Sequence, residues 1–142
     1  MARLTDEQIA QEEAFMRGVP RFNVGAFFMP GIWGPAHGLW VSILFYPLWL
    51  LADNVFFAAF SQRTVLACVL AGAVFVFMTG LTLAFSLLGQ PYAWHRAAAR
   101  GVSKERYLAG QRIWAVACVA LGLLAVGVAT YYNLIVRVQM GA

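Results

Sequence analysis

Long apolar runs separated by short polar breaks organise this chain, on a scale far longer than the two-residue alternation of a strand. Across 39–60 only Ser42, Asp53 and Asn54 interrupt the apolar sequence, and 65–88 carries no charge. A third apolar run follows Arg112 and continues to Val136. About 20 apolar residues, at about 1.5 Å each, cross the hydrocarbon of a bilayer. The pattern therefore predicts three transmembrane helices, over 39–60, 65–88 and 113–136. Pro47 predicts a kink in the first, and Gly89-Gln90-Pro91 predicts the end of the second. The link Ser61-Gln62-Arg63-Thr64 is so short that the first two spans must form a tight antiparallel hairpin.

The segments around these spans have their own signals. Residues 5–17 read as a short amphipathic helix, with Thr5 as N-cap, Asp6 and Glu7 in the first turn, and Gly18-Val19-Pro20 closing it. Residues 22–38 are apolar, yet broken by Gly25, Pro30, Gly31, Gly34, Pro35 and Gly38. They predict an irregular segment, interfacial or re-entrant, since bare backbone at membrane depth must be covered by protein or water. Residues 90–112 predict a basic cytoplasmic loop that contains a helix start, with Ser103 as N-cap and Glu105 in the first turn. The expected fold is a single all-α integral membrane domain over 1–142.

Composition agrees with a bilayer as the solvent: 62% of the residues are hydrophobic and 11% are charged, against about 25% charged in average soluble domains. The net charge of +4 is small and dispersed, so nucleic acid is not an expected partner, whereas membrane lipid is. Its basic residues predict topology instead. Arg3, Arg17, Arg21, Arg96, Arg100, Lys104, Arg106 and Arg112 fall on one side of the spans, and only Arg63 and Arg137 on the other. That asymmetry predicts a multi-pass protein with the N-terminus cytoplasmic and the C-terminus outside. Residues 1–21 hold four acids and no apolar core, so no cleavable signal is expected there.

Few residues offer chemistry. Cys68 and Cys118 should lie roughly 20 Å apart in depth, too far for a disulfide. Cys118, Gly122, Ala125 and Ala129 recur at helical spacing as a small-residue stripe, suited to close helix packing within the chain or to a partner's helix. Asp53, beside Asn54, is the ionisable residue set well inside a span, and it needs a partner or water. Tyr131, Tyr132 and Asn133 lie at similar depth, with Arg63 and Arg137 able to reach inward. His37 and His95 sit at the cytoplasmic interface among Trp33, Trp40, Tyr92 and Trp94, either as interfacial polar residues or as ligands to a haem or pigment. No third ligand of metal type and no nucleophile–base motif accompanies them, so neither a metal nor a resident cofactor is expected, nor an enzyme.

Two stretches carry a resemblance. FNVGAFFMPGIWGPAHGLW resembles the pattern Phe-Asn-Trp-Gly-Ala-Phe followed by Ile-Trp-Gly, on Phe22, Asn23, Gly25, Ala26, Phe27, Ile32, Trp33 and Gly34. AWHRAAARGVSKERYLAGQRIWA resembles its partner pattern, on Ala93, Trp94, Ser103, Glu105, Tyr107, Gln111, Arg112, Trp114 and Ala115. Both patterns occur together in a group of small bacterial integral membrane proteins. Val24 stands where that group has tryptophan, and the long first span with Asp53 is additional. The resemblance implies a membrane protein and transfers no catalytic residue. Tyr107, Gln111 and Trp114 share one side of the third helix, from which Gln111 can reach the backbone of residues 25–35, while Asn23 holds the turn at their entry.

The functional expectation is a non-catalytic accessory or assembly subunit of a larger membrane complex. A transporter or channel component using Asp53 is the alternative, and a haem- or pigment-associated subunit using His37 or His95 is the second.

Overall fold

The structure, a computed structural model, describes residues 5–141; Arg3, one of the topology-setting cations, lies outside them. Every regular element among the described residues is helical. Three helical stretches are long and apolar enough to cross a membrane, Trp40–Gln62, Val65–Ala99 and Lys104–Arg137, which makes the chain a multi-pass membrane protein.

Helix α1 (Asp6–Met16) begins with a capping box: the Thr5 hydroxyl accepts from the Gln8 amide at 3.3 Å, and the Gln8 side chain accepts from the Thr5 amide at 3.0 Å. None of its residues is buried, and only its last turn leans on the core, through Phe15 and Met16.

Residues 22–38 are more regular than their glycines and prolines predict. They form two short helices, α2 (Val24–Phe28) and α3 (Pro30–Ala36). Apart from Pro35, which lies inside α3, the supposed breakers fall where they do little harm. Pro30 occupies the first turn of α3, where its missing N–H has no helical partner. Gly25, Gly31 and Gly34 are close-approach sites: a Cβ there would run into Trp33, Tyr46 and Ser42 respectively. Gly38 alone in this segment needs a left-handed backbone, at φ +88°.

A 3₁₀ turn, Trp40–Leu44, leads into α4 (Phe45–Gln62). Pro47 thus lies in the first turn of α4 and not mid-helix, just past the change of helix type. Arg63 ends α4 in the left-handed region at φ 51°. Thr64 then caps α5 (Val65–Ala99), its hydroxyl accepting from the Ala67 amide at 3.2 Å.

The largest departure is at Pro91, where α5 runs on without a break for 35 residues. Proline forfeits one backbone bond, to Leu87, and crowds that carbonyl. Around it Gly89, Gln90, Ala93 and Trp94 are all buried, so side-chain packing holds the turn that propensity alone would release. The predicted loop over 90–112 accordingly shrinks to the few residues between Ala99 and Lys104. At about 1.5 Å per residue, α5 is longer than a hydrocarbon core of about 30 Å requires.

Ser103 caps α6 (Lys104–Tyr131) as expected, its hydroxyl accepting from the Arg106 amide at 3.3 Å, with Glu105 exposed in the first turn. The helix passes directly into a π-helical turn, Tyr132–Arg137. Helix α4 packs along α5, while α2 lodges between α5 and α6 and holds them apart, so α5 and α6 touch each other little. The buried core gathers at the α2–α3 end, around Ala26, Met29, Trp33, Trp94, Tyr107 and Cys118. Both cysteines are free, Cys68 exposed and Cys118 buried.

Candidate functional site

The densest chemistry is a buried set of amides where the two motif stretches meet. Asn23 caps α2 through Oδ1, which accepts from the Ala26 amide at 2.8 Å. Its Nδ2 donates to Gln90 Oε1 and, at 2.8 Å, to Gln111 Oε1. Its backbone exchanges two bonds with one hydroxyl: Asn23 N donates to Ser86 Oγ at 3.0 Å, and Ser86 Oγ donates to Asn23 O at 2.7 Å. One side chain thereby ties α2 to both α5 and α6.

Gln111 continues the network. Its Oε1 also accepts from Trp33 Nε1 at 3.1 Å, and its Nε2 meets His37 Nε2 at 2.9 Å. His37 Nδ1 lies 2.7 Å from the Trp33 carbonyl. A carbonyl only accepts, so Nδ1 carries the proton and Nε2 receives the Gln111 amide. Both ring nitrogens of His37 are then engaged in the neutral form. Tyr107 is buried beside Gln90, its hydroxyl donating to Gln90 Oε1 at 3.5 Å, and Trp114 meets the His37 ring edge-on at 5.4 Å. Gln111 thus bonds side chains of the 22–38 segment, where its backbone was the expected target.

Protonating His37 would turn Nε2 into a donor facing a donor, and rotating the Gln111 amide would set its NH₂ against Trp33 and Asn23. Burial pushes the His37 pKa below its ordinary 6.5, outweighing the upward pull of the Trp33 carbonyl. Unfolded chains therefore bind a proton at His37 that folded chains refuse, so stability falls as pH drops through 6.5 towards the folded value. Unfolding between pH 7.5 and 5.5 should show that slope, and His37→Gln should remove it; an equal slope in both proteins would refute the assignment.

His95 is a separate matter. Its Nε2 lies 2.7 Å from Glu12 Oε1, and its ring stacks on Phe15, so it pins α1 to α5. Trp94 does the same from the buried side, donating to the Phe15 carbonyl at 3.3 Å. Phe22, half-exposed, leans on Phe27.

Asp53 has the partner that its position requires. Asn133 Nδ2 donates to Asp53 Oδ1 at 2.6 Å, and Arg137 lies 3.8 Å from Oδ2. Arg137 also donates to Asn133 at 3.2 Å and to Asn54 at 2.8 Å, with its guanidinium stacked 4.0 Å from the Phe57 ring centre. Of the five candidates at this depth, Asn133 and Arg137 engage Asp53, and both belong to the π-helical turn. This clamp joins α4 to α6 at the end of the spans remote from the amide network.

Between the two polar fastenings the helices stay apart. An apolar groove of about 1280 Å³ lies among α4, α5 and α6, walled by Trp49, Phe56 and Phe75 and floored by Phe28 and Met29. The small-residue stripe divides here. Cys118 is buried away from the groove, whereas Gly122, Ala125 and Ala129 line it, and a Cβ at Gly122 would meet Phe28 at ordinary contact distance.

Compared with known protein families, characterised proteins and solved structures, the chain matches none of them. Its function is therefore argued from this geometry. The residues that sequence reasoning passed over are Ser86 and Gln90. Their signal was visible, as polar side chains in or just beyond an otherwise apolar run, but Gln90 was read as part of a terminator.

Proposed function

We propose that the protein is a non-catalytic accessory or assembly subunit that seats a transmembrane helix of a partner complex in the groove between α4, α5 and α6. The observation that carries this reading is the groove itself, held open at one end by α2 and closed at the other by the Asp53–Asn133–Arg137 clamp. Three turns of helix, about 16 Å long and about 10 Å across, are of the same order of size as the groove. Ala125 and Ala129 on one wall let a backbone approach, and the aromatic rings on the facing wall offer broad van der Waals contact. Lipid alone has no need of a small-residue face.

The finer placement belongs to the same reading. The Lys and Arg asymmetry supports an inner-membrane orientation with the N-terminus cytoplasmic. Helix α1 then lies as an amphipathic helix on that surface, and residues 22–38 re-enter only as far as α5 and α6 cover them.

A photo-crosslinker at Ala125 should give one discrete, saturable protein adduct in native membranes, whereas the same probe at Val116, which is 73% exposed to lipid, should not. Filling the groove with Ala129→Trp should abolish that adduct while the protein still inserts and folds. Lipid adducts alone from Ala125, or an adduct indifferent to Ala129→Trp, would overturn the proposal.

A further inference from the structure

A second pocket, of about 260 Å³, opens at the opposite end of the spans from the Asp53 clamp. It lies between the end of α3, the end of α5 and the start of α6, and Arg96, Arg100 and Arg106 all line it. No acidic residue lines it. Among the described residues, the ion pairs are His95 with Glu12 and Arg137 with Asp53, so the three exposed arginines share one cavity without a carboxylate partner. Like charges gathered at one cavity repel unless an anion joins them. Arg96 is also set in place by the chain: it lies across Gly38, where any Cβ would overlap its guanidinium.

The shape of the pocket selects among anions. Arg106 and Trp114 both line it, and eight residues of helix span about 12 Å. The cavity therefore runs from the arginines along Ala93, Ala97 and Trp114, with the polar groups of His37, Tyr107 and Gln111 beside them, toward the apolar part of α6. A freely soluble phosphate needs only the arginines. A phospholipid presents a phosphate at that level with glycerol and acyl carbons directly beneath it, which suits the apolar wall.

We infer that this pocket binds the phosphate of an anionic phospholipid, with Arg96, Arg100 and Arg106 around the phosphate oxygens and Trp114 and the alanines against the glycerol and upper acyl chain. Guanidinium–phosphate pairs are charge-assisted and can be bidentate, so the three arginines act as a specific set and not as diffuse charge.

The test uses the full-length protein in mild detergent, with native mass spectrometry of lipid retention and thermal stability as the two readouts. Phosphatidylglycerol, phosphatidylcholine and inorganic phosphate are the probes. Phosphatidylglycerol should be retained and should raise the melting temperature; phosphatidylcholine and inorganic phosphate should do neither. Arg96→Gln, Arg100→Gln and Arg106→Gln together should reduce phosphatidylglycerol retention roughly tenfold. Arg21→Gln, Arg63→Gln and Arg112→Gln, an equal charge change outside the pocket, should leave it nearly unchanged. If the pocket triple variant does not fold, Arg106→Gln alone should still lower retention measurably against Arg112→Gln alone. Equal losses in the two sets would overturn the site in favour of non-specific attraction. Stabilisation by inorganic phosphate without retention of phosphatidylglycerol would overturn the lipid assignment, as would equal retention of phosphatidylcholine.

Discussion

Gln111→Leu should destabilise the protein by about 2–3 kcal/mol. Three hydrogen bonds end on this one side chain, to Asn23, Trp33 and His37. Side-chain hydrogen bonds in membrane proteins are worth about 0.6 kcal/mol each on average, because the dispersed helices also find partners. By that measure alone the loss is about 2 kcal/mol. Leucine also leaves the Trp33 indole N–H and the His37 ring nitrogen without partners in a part-buried site, and a donor or acceptor stranded that way costs about 1–3 kcal/mol. The stranded groups raise the total above the bond count, while partial access of water keeps it from the sum of both. Arg112→Leu, one residue on and exposed, should stay within about 0.5 kcal/mol of the parent. Equilibrium unfolding in mixed micelles, followed by tryptophan fluorescence, measures both. Equal stability of the two variants would show that the amide network does not fasten the motif stretches.

Gly34→Ala should have a comparable effect, about 2–3 kcal/mol, for a steric reason. A Cβ at Gly34 would overlap the Ser42 hydroxyl and come within 2.7 Å of its Cβ. Ser42 is buried and anchored, its Oγ donating to the Leu39 carbonyl at 2.7 Å, so it cannot swing aside without loss. This contact sets how closely α3 approaches the 3₁₀ turn at the head of α4. Because the cause is overlap, removing the obstacle should restore stability in order. Gly34→Ala with Ser42→Ala should recover part of the loss, since the Ser42 Cβ remains, and Gly34→Ala with Ser42→Gly should recover more. A double-mutant cycle on unfolding free energies checks this. Additive losses would mean that Gly34 matters for its backbone and not for its missing side chain.

The two variants probe residues that were visible in the sequence for different reasons. Gln111 drew notice as a polar side chain at helical spacing with Tyr107 and Trp114, and its direction was right although its target was not. Gly34 drew notice as a breaker, yet it sits inside α3, and its role is contact. Composition cannot separate these uses of glycine, because both need only the absence of a Cβ. Pro47 and Pro91 show the same limit. One falls in the first turn of a helix and the other is carried through by buried neighbours, and neither interrupts its span as expected.

Asp53 marks the boundary from the other side. Burying a carboxylate in a span demands a partner, so the sequence alone called for one and offered five candidates. Choosing Asn133 and Arg137 took the π-helical turn, which no local signal announced.

The number of spans, the start of the second, and the helix caps at Thr5 and Ser103 follow from sequence. Each rests on hydropathy summed over a window or on a bond to an amide three residues away, as at Ser103 and Arg106. The tertiary structure alone decided that Asn23 pairs with residues 63, 67 and 88 positions distant, that α5 survives Pro91, and that α6 stands away from α4 and α5 to leave a groove. Those outcomes depend on which side chains meet across helices. In a bilayer, where lipid is as apolar as leucine, the meeting is settled by a few polar contacts and close-packed glycines, and not by hydrophobicity, which is the property that the sequence displays most plainly.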